Sequence, residues 1–182
     1  MPIGSYAVSF HVVAEMEKKQ PRTILDLGIG YGFLSACVRQ WLDAGVEPFQ
    51  KVLIGVEGFP KYRNPQWNLY NEVYEMTIQT FLHKNCMQFD CIVFSDVIEH
   101  FSKVDGVIIL EQLKKLLNPG GILLVGTPGV FCEQGSVHGN ELETHRSLWT
   151  AEDFPSSQGW TLIKDGEPDE FKHRMVLAKW VM

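Results

Sequence analysis

Long apolar runs are missing from this 182-residue sequence, and that is the first of several absences that narrow what it can be. No run reaches the roughly 18 residues that a bilayer-spanning helix needs, so membrane insertion is not expected. Met1-Pro2-Ile3-Gly4-Ser5 has no basic start leading into an apolar core, so no secretory signal is expected either. The four cysteines, Cys37, Cys86, Cys91 and Cys132, contain no Cys-x-x-Cys pair. Cys37 and Cys91 lie in apolar runs that read as buried. Neither a disulfide framework nor a zinc or other metal site is expected, and a cytoplasmic location fits. Basic charge is also scarce: 16 Lys and Arg against 22 Asp and Glu, for a net charge of −6. Lys18-Lys19 and Lys114-Lys115 are the adjacent basic pairs, and both fall near expected helix ends, where cations suit the helix dipole. That pattern argues against nucleic acid and against bulky anionic partners. Repeats, low-complexity tracts and linkers are absent as well, so residues 1–182 read as a single domain.

What is present is an alternation of strand-like and helix-like segments, the mark of a mostly parallel sheet covered on both faces. Residues 6–19 form an expected helix, with Tyr6, Phe10 and Val13 at helical spacing. Thr23–Leu27 reads as a first strand. After a glycine loop, Leu34, Val38, Trp41 and Leu42 mark the inward side of a second helix. Val52–Val56 is a second strand ending at Glu57, residues 66–71 a short helix, and a third strand lies within Glu72–Ile78. Cys91–Phe94 is a fourth strand. Ser102, with Asp105 three positions on, signals the start of a helix. Leu110, Leu113 and Leu117 supply its buried stripe, and Asn118-Pro119-Gly120-Gly121 ends it. Ile122–Val125 is a fifth strand. Trp160–Lys164 and Arg174–Val181 are too close together for a crossover helix, so they pair with each other or run antiparallel to a neighbour. The expected fold is α/β: a doubly wound, seven-stranded, Rossmann-like sheet closed by an antiparallel C-terminal hairpin.

The chemistry concentrates in Asp26-Leu27-Gly28-Ile29-Gly30-Tyr31-Gly32, between the first strand and the following helix. Glycines at alternate positions allow a sharp turn and let a ligand approach the main chain. In a doubly wound sheet this is the crevice where ligands sit. A dinucleotide loop would need glycine at position 33, which is Phe33. An aspartate two residues before the first glycine suits a cofactor bearing an amine and would repel a pyrophosphate. Glu57, at the end of the second strand, can accept from a ribose diol, a feature that both cofactor classes share.

The segments Ile24–Gly32, Val56-Glu57-Gly58, Phe89–His100 and Leu117–Gly121 together resemble the class I S-adenosylmethionine (SAM)-dependent methyltransferases. They are closest to the ubiquinone-biosynthesis-like branch (methyltransferase types 11 and 12). The later Thr144–Phe154 is similar to a segment common in that branch. The resemblance implies that Asp26, Gly28, Gly30 and Gly32 surround the methionine part of SAM and that Glu57, beside Gly58, holds the ribose. It places Ser95 and Asp96 near the reacting sulfonium. The branch often carries an acidic residue for the adenine amine at the position matched here by Thr77, which is followed by Ile78 and Gln79, so the resemblance leaves that contact to Gln79 or to a backbone carbonyl.

Each assignment has a plainer rival. Asp26 and Glu57 can be ordinary strand-end charges, and Asp96 and Glu99 favourable charges at a helix start. His100 reads as a structural hydrogen-bonding residue. His138 and His145, in the 127–150 loop where the family places acceptor-facing residues, are the possible general bases, with surface loop histidines as the alternative. Trp149, Phe131 and Trp67 can wall a pocket or fill the core. Asn64-Pro65-Gln66-Trp67 imitates an amine-methylation motif but lies before the fourth strand instead of after it. The expected activity is methyl transfer from SAM, with S-adenosylhomocysteine (SAH) as product, to a small-molecule, glycan or carrier-bound acceptor. The acceptor site is expected to be open or completed by a second subunit, for example in a homodimer. A non-catalytic SAM-binding or structural subunit and a nicotinamide-dependent oxidoreductase are the competing readings.

Overall fold

The computed structural model describes residues 5–169 and 172–182; residues 1–4, on which the expectation about a signal rests, lie outside them. The chain runs α1 (Tyr6–Lys19), β1 (Thr23–Leu27), α2 (Phe33–Cys37), β2 (Val52–Glu57), β3 (Glu72–Glu75) and α3 (Ile78–Lys84). It continues through β4 (Phe89–Ser95), α4 (Lys103–Lys115), β5 (Leu117–Pro128), β6 (Trp160–Pro168) and β7 (Arg174–Val181). The seven strands form one sheet in the order β3-β2-β1-β4-β5-β7-β6. β3, β2, β1, β4 and β5 are parallel, while β7 runs antiparallel to both β5 and β6. This is the expected Rossmann-like sheet with its closing hairpin.

Strand residues alternate between two cores, as the two-residue period of a strand requires. Ile24, Leu53, Cys91, Val93 and Leu124 face one side of the sheet, where Val8, Val12, Val13 and Met16 of α1 cover them. Leu25, Val56, Ile92, Phe94, Leu123 and Val125 face the other, against Ile109, Leu110 and Leu113 of α4. The central strands are therefore buried on both faces, the usual condition of a parallel sheet. The order in which strands are added reverses between β1 and β4, so a crevice opens at their C-terminal ends.

Three details differ from the expectation. Tyr6 and Phe10 of α1 and Trp41 of the turn after α2 are exposed, and Phe10 meets Trp41 edge-on with centroids 6.1 Å apart. The sheet surface takes the smaller Val8–Val12–Val13–Met16 stripe, which lies flat against the pleat, and the large rings pair at the rim. α4 stops at Lys115, so Leu117, although fully buried, belongs to β5, and Asn118-Pro119-Gly120-Gly121 lies within that strand. Gly120 and Gly121 exchange backbone hydrogen bonds with Met182, which draws the segment into the sheet edge instead of a free turn. Finally, α3 had no counterpart in the reading of the sequence. Its signal is Thr77, whose hydroxyl accepts from the Thr80 amide as an N-cap, ahead of buried Ile78 and Phe81.

Candidate active site

Past β1 the chain turns through Gly28, Gly30 and Gly32, with φ of 73°, 51° and 85°. Those angles are open to glycine and strained for other residues. A Cβ on Gly28 would stand 2.5 Å from a methyl of Val97, so the loop touches the turn after β4 with nothing between. The loop is tied down before any ligand arrives. The Gly28 and Ile29 amides donate to the Val56 carbonyl at 2.9 and 3.3 Å. The Gly30 amide donates to Glu57 Oε2 at 2.9 Å, and the Phe59 amide to Glu57 Oε1 at 2.8 Å. From outside, the Trp67 indole donates to the Gly30 carbonyl at 2.8 Å and the Asn64 amide to the Tyr31 carbonyl at 2.9 Å. Asn64-Pro65-Gln66-Trp67 is thus a brace for the glycine loop.

Asp26 is buried, and its Oδ2 accepts from the Tyr70 hydroxyl at 2.6 Å. Burial pushes its carboxyl up to about 7; Glu57 adds to the rise and the Tyr70 hydrogen bond opposes it. Tyr70 owes its place to two features. Gly55, mid-strand in β2, leaves room for the ring, since a Cβ there would meet Tyr70 at 2.9 Å. Arg39, buried in the turn after α2, donates to the Leu69 carbonyl and to Asn71 Oδ1, both at 2.8 Å, on either side of Tyr70. Its own charge is met by Asp43 at 2.7 Å. Neither Tyr70 nor Arg39 stood out in the sequence, although the glycine inside β2 was a usable sign of a close approach.

The strand ends and loops enclose a cavity of about 350 Å³, of the size that small ligands occupy. Of the residues singled out from the sequence, Asp26, Gly28, Gly30, Glu57, Gly58, Thr77, Ile78, Ser95 and Asp96 line it, as does Gln79. Gly32 does not; it packs against Gln66, Trp67 and Tyr70 behind the loop. Gly58 also admits Leu142, whose methyl would stand 2.5 Å from an added Cβ. Asp96 adopts a φ of 55° and accepts from the Ser5 amide at 2.9 Å and the Ser95 hydroxyl at 3.1 Å. Burial raises its carboxyl, as it does that of Glu57. Burial and the neighbouring Asp96 raise Glu99 to about 8, while burial and His145 lower His100 to about 4.

The segment after β5 contributes Asn140, Leu142, Glu143 and Arg146 to the wall, none of which was anticipated. Tyr62 donates to Glu143 Oε1 at 3.1 Å, and Asn140 to the Tyr62 oxygen at 3.3 Å, which pins the segment over the β2 loop. The Arg146 and Ser147 amides donate to the Glu99 carbonyl at 2.8 and 3.1 Å. His138 is exposed on the outer turn with φ of 51°, away from the cavity. His145 does not line the cavity either, but its ring packs 5.0 Å from that of His100, which does. Trp67 and Trp149 are core residues, and Phe131 is exposed.

Comparison with known proteins agrees with the fold. A family model described as a methyltransferase domain matches residues 6–159. No curated protein matches the sequence significantly. Among solved structures, the O-methyltransferase TomG from Streptomyces achromogenes, solved with SAM, is 15% identical. It covers 98% of this chain and 81% of its own, with a TM-score of 0.62. The N-methyltransferase NodS from Bradyrhizobium japonicum, solved with SAH, is 14% identical over 96% of this chain and 85% of its own, with a TM-score of 0.63. The plantazolicin methyltransferase BpumL, also solved with SAH, is 13% identical over 96% and 84%, with a TM-score of 0.63. At such identities these proteins share the fold.

Proposed function

The chain belongs to the methyltransferase-domain family, and on that premise we propose that it transfers a methyl group from SAM to a small-molecule acceptor, its 182 residues working as one domain. One observation carries the reading. Asp26, Glu57, Asp96 and Glu143 all face the cavity, and the first three have raised carboxyls. Like charges gathered away from water favour a cationic guest. SAM bears an ammonium and a sulfonium, whereas a nicotinamide dinucleotide would bring a pyrophosphate into the same field. The glycine loop fits such a guest, because the backbone at Gly28 and Gly30 lines the cavity with no side chain in the way.

In this reading Asp26 receives the ammonium and ionises as it does so. The main chain at Gly28 and Gly30 borders the methionine part, and Ser95 and Asp96 lie beside it. Glu57 already accepts two amides, yet a carboxylate offers about four lone-pair sites, which leaves room for a ribose diol. Thr77, Ile78 and Gln79 border the adenine end, with the Thr77 hydroxyl engaged as the α3 cap. SAM, when bound, supplies an activated methyl, so alignment and exclusion of water are the main tasks of the protein. Leu142 and Arg146 form the side where the acceptor enters. Both are exposed, which also suits an acceptor presented on a glycan or a carrier.

Thermal unfolding with SAM, SAH and NAD tests this. Ligand at 100 times its dissociation constant adds about 2.7 kcal/mol to the native state. SAM and SAH are expected to raise the midpoint by several degrees, NAD not at all, and Asp26→Asn to lose most of the shift. A shift with NAD alone, or with none of the three, would overturn the assignment.

A further inference from the structure

We propose that Glu99, His100 and His145 form a divalent-cation site that meets the cavity at His100. Each offers one ligand atom, and the three atoms lie within 4.8 Å of one another. They come from two places that the fold joins: the turn Ile98–His100 after β4, and the segment after β5 that is tied back onto it through the Glu99 carbonyl.

The hydrogen bonds around the cluster leave its lone pairs directed to a guest. His145 Nδ1 lies 2.7 Å from the Cys132 carbonyl, which can only accept, so Nδ1 carries the proton and Nε2 keeps a free lone pair. A carbonyl partner on the distal nitrogen is the arrangement that orients histidine ligands in metal sites. Glu99 Oε2 is steered in the same way by the Thr127 hydroxyl at 3.1 Å. Among the described residues, two buried side-chain polar atoms have no hydrogen-bond partner, His100 Nδ1 and Thr144 Oγ1. One belongs to the cluster and the other to the residue before His145. Orphaned polar atoms in so well satisfied a protein call for an explanation, and a cation with its bound water supplies one. Two imidazoles and a carboxylate suit Zn²⁺, Co²⁺ or Mn²⁺, and three protein ligands leave positions open to an oxygen of a molecule held in the cavity. Because His100 lines the cavity, that oxygen can belong to the acceptor; this last point rests on the function proposed above.

Co²⁺ titration of chelator-treated protein, followed by visible absorption, reads the site without turnover. Wild type is expected to take up one Co²⁺ per chain with a d–d band. His145→Ala and Glu99→Gln are each expected to bind at least about tenfold more weakly. Retained thermal stabilisation by SAM in the metal-free variants would show that they are folded. No band in the wild type, or equal Co²⁺ affinity in folded wild type and variants, would overturn the site. A Co²⁺ site in a protein that SAM fails to stabilise would support the cation and sink the proposed function instead.

Discussion

Two segments border the same cavity and are built in opposite ways. Gly28–Gly32 is a short loop between β1 and α2 whose amides and carbonyls are taken up by Val56, Glu57, Trp67 and Asn64. Gly129–Thr150 has little regular structure beyond one turn of 3₁₀ helix and an isolated bridge between Val137 and Asn140. It is held by a few long-range contacts: Tyr62 to Glu143, Arg146 to the His100 carbonyl at 2.6 Å, and the Arg146 and Ser147 amides to the Glu99 carbonyl. The first is rigid because its backbone is satisfied by two neighbouring elements. The second takes its shape from contacts to residues distant in the chain, so its conformation depends on more remote partners.

Substitutions on the two sides should therefore fail differently. Glu57→Ala is expected to have the largest effect. It strands the Gly30 and Phe59 amides, at about 1–3 kcal/mol for each buried group left unpaired, and should abolish stabilisation by SAM in a thermal melt. Asp26→Asn comes next and separates through pH. With its carboxyl at about 7 in the fold and 3.8 as reference, Asp26 is ionised only in the unfolded chain between those values. The free protein therefore loses stability as pH rises through that window, by about 1.4 kcal/mol per shifted unit at most. His100, lowered to about 4 from 6.5, acts in the opposite direction between those values, so the difference between wild type and Asp26→Asn isolates the aspartate. Denaturant melts should show the variant without that decline, and calorimetry should show SAM affinity rising through pH 7 only in wild type. A pH-independent difference would break this account of Asp26.

Tyr70→Phe should cost about 1 kcal/mol. It should also move the pH midpoint of SAM binding upward, because the bond that lowers the Asp26 carboxyl is gone. Asn140→Ala, on the other side, removes a cap to the Leu142 amide and the contact to Tyr62. About 1 kcal/mol of stability should go with it. SAM affinity should hold while the KM for the acceptor rises; equal loss of both would erase the contrast between the segments. His138→Ala should change stability by less than about 0.5 kcal/mol, as an exposed turn residue away from the cavity, and leave turnover as it was.

The sequence by itself determined the sheet and the glycine-loop side of the cavity. β1, the carboxylate at the end of β2, the Ser102 cap of α4 and the closing hairpin are encoded by local rules: buried runs of a few residues, glycine where φ must be positive, a hydroxyl where a helix begins. Such signals act over a handful of residues and survive being read one at a time. Tertiary structure alone decided what surrounds the loop. Tyr70 reaches Asp26 across 44 positions, with Gly55 making space and Arg39 holding the backbone on either side, and no local pattern marks that partnership. Likewise Glu99 and His100 meet His145 only because the segment after β5 folds back onto the turn after β4. Local conformational preference fixes which elements form; which buried polar groups meet depends on pairings between distant strands and loops, where burial makes each unsatisfied group costly enough to select its partner.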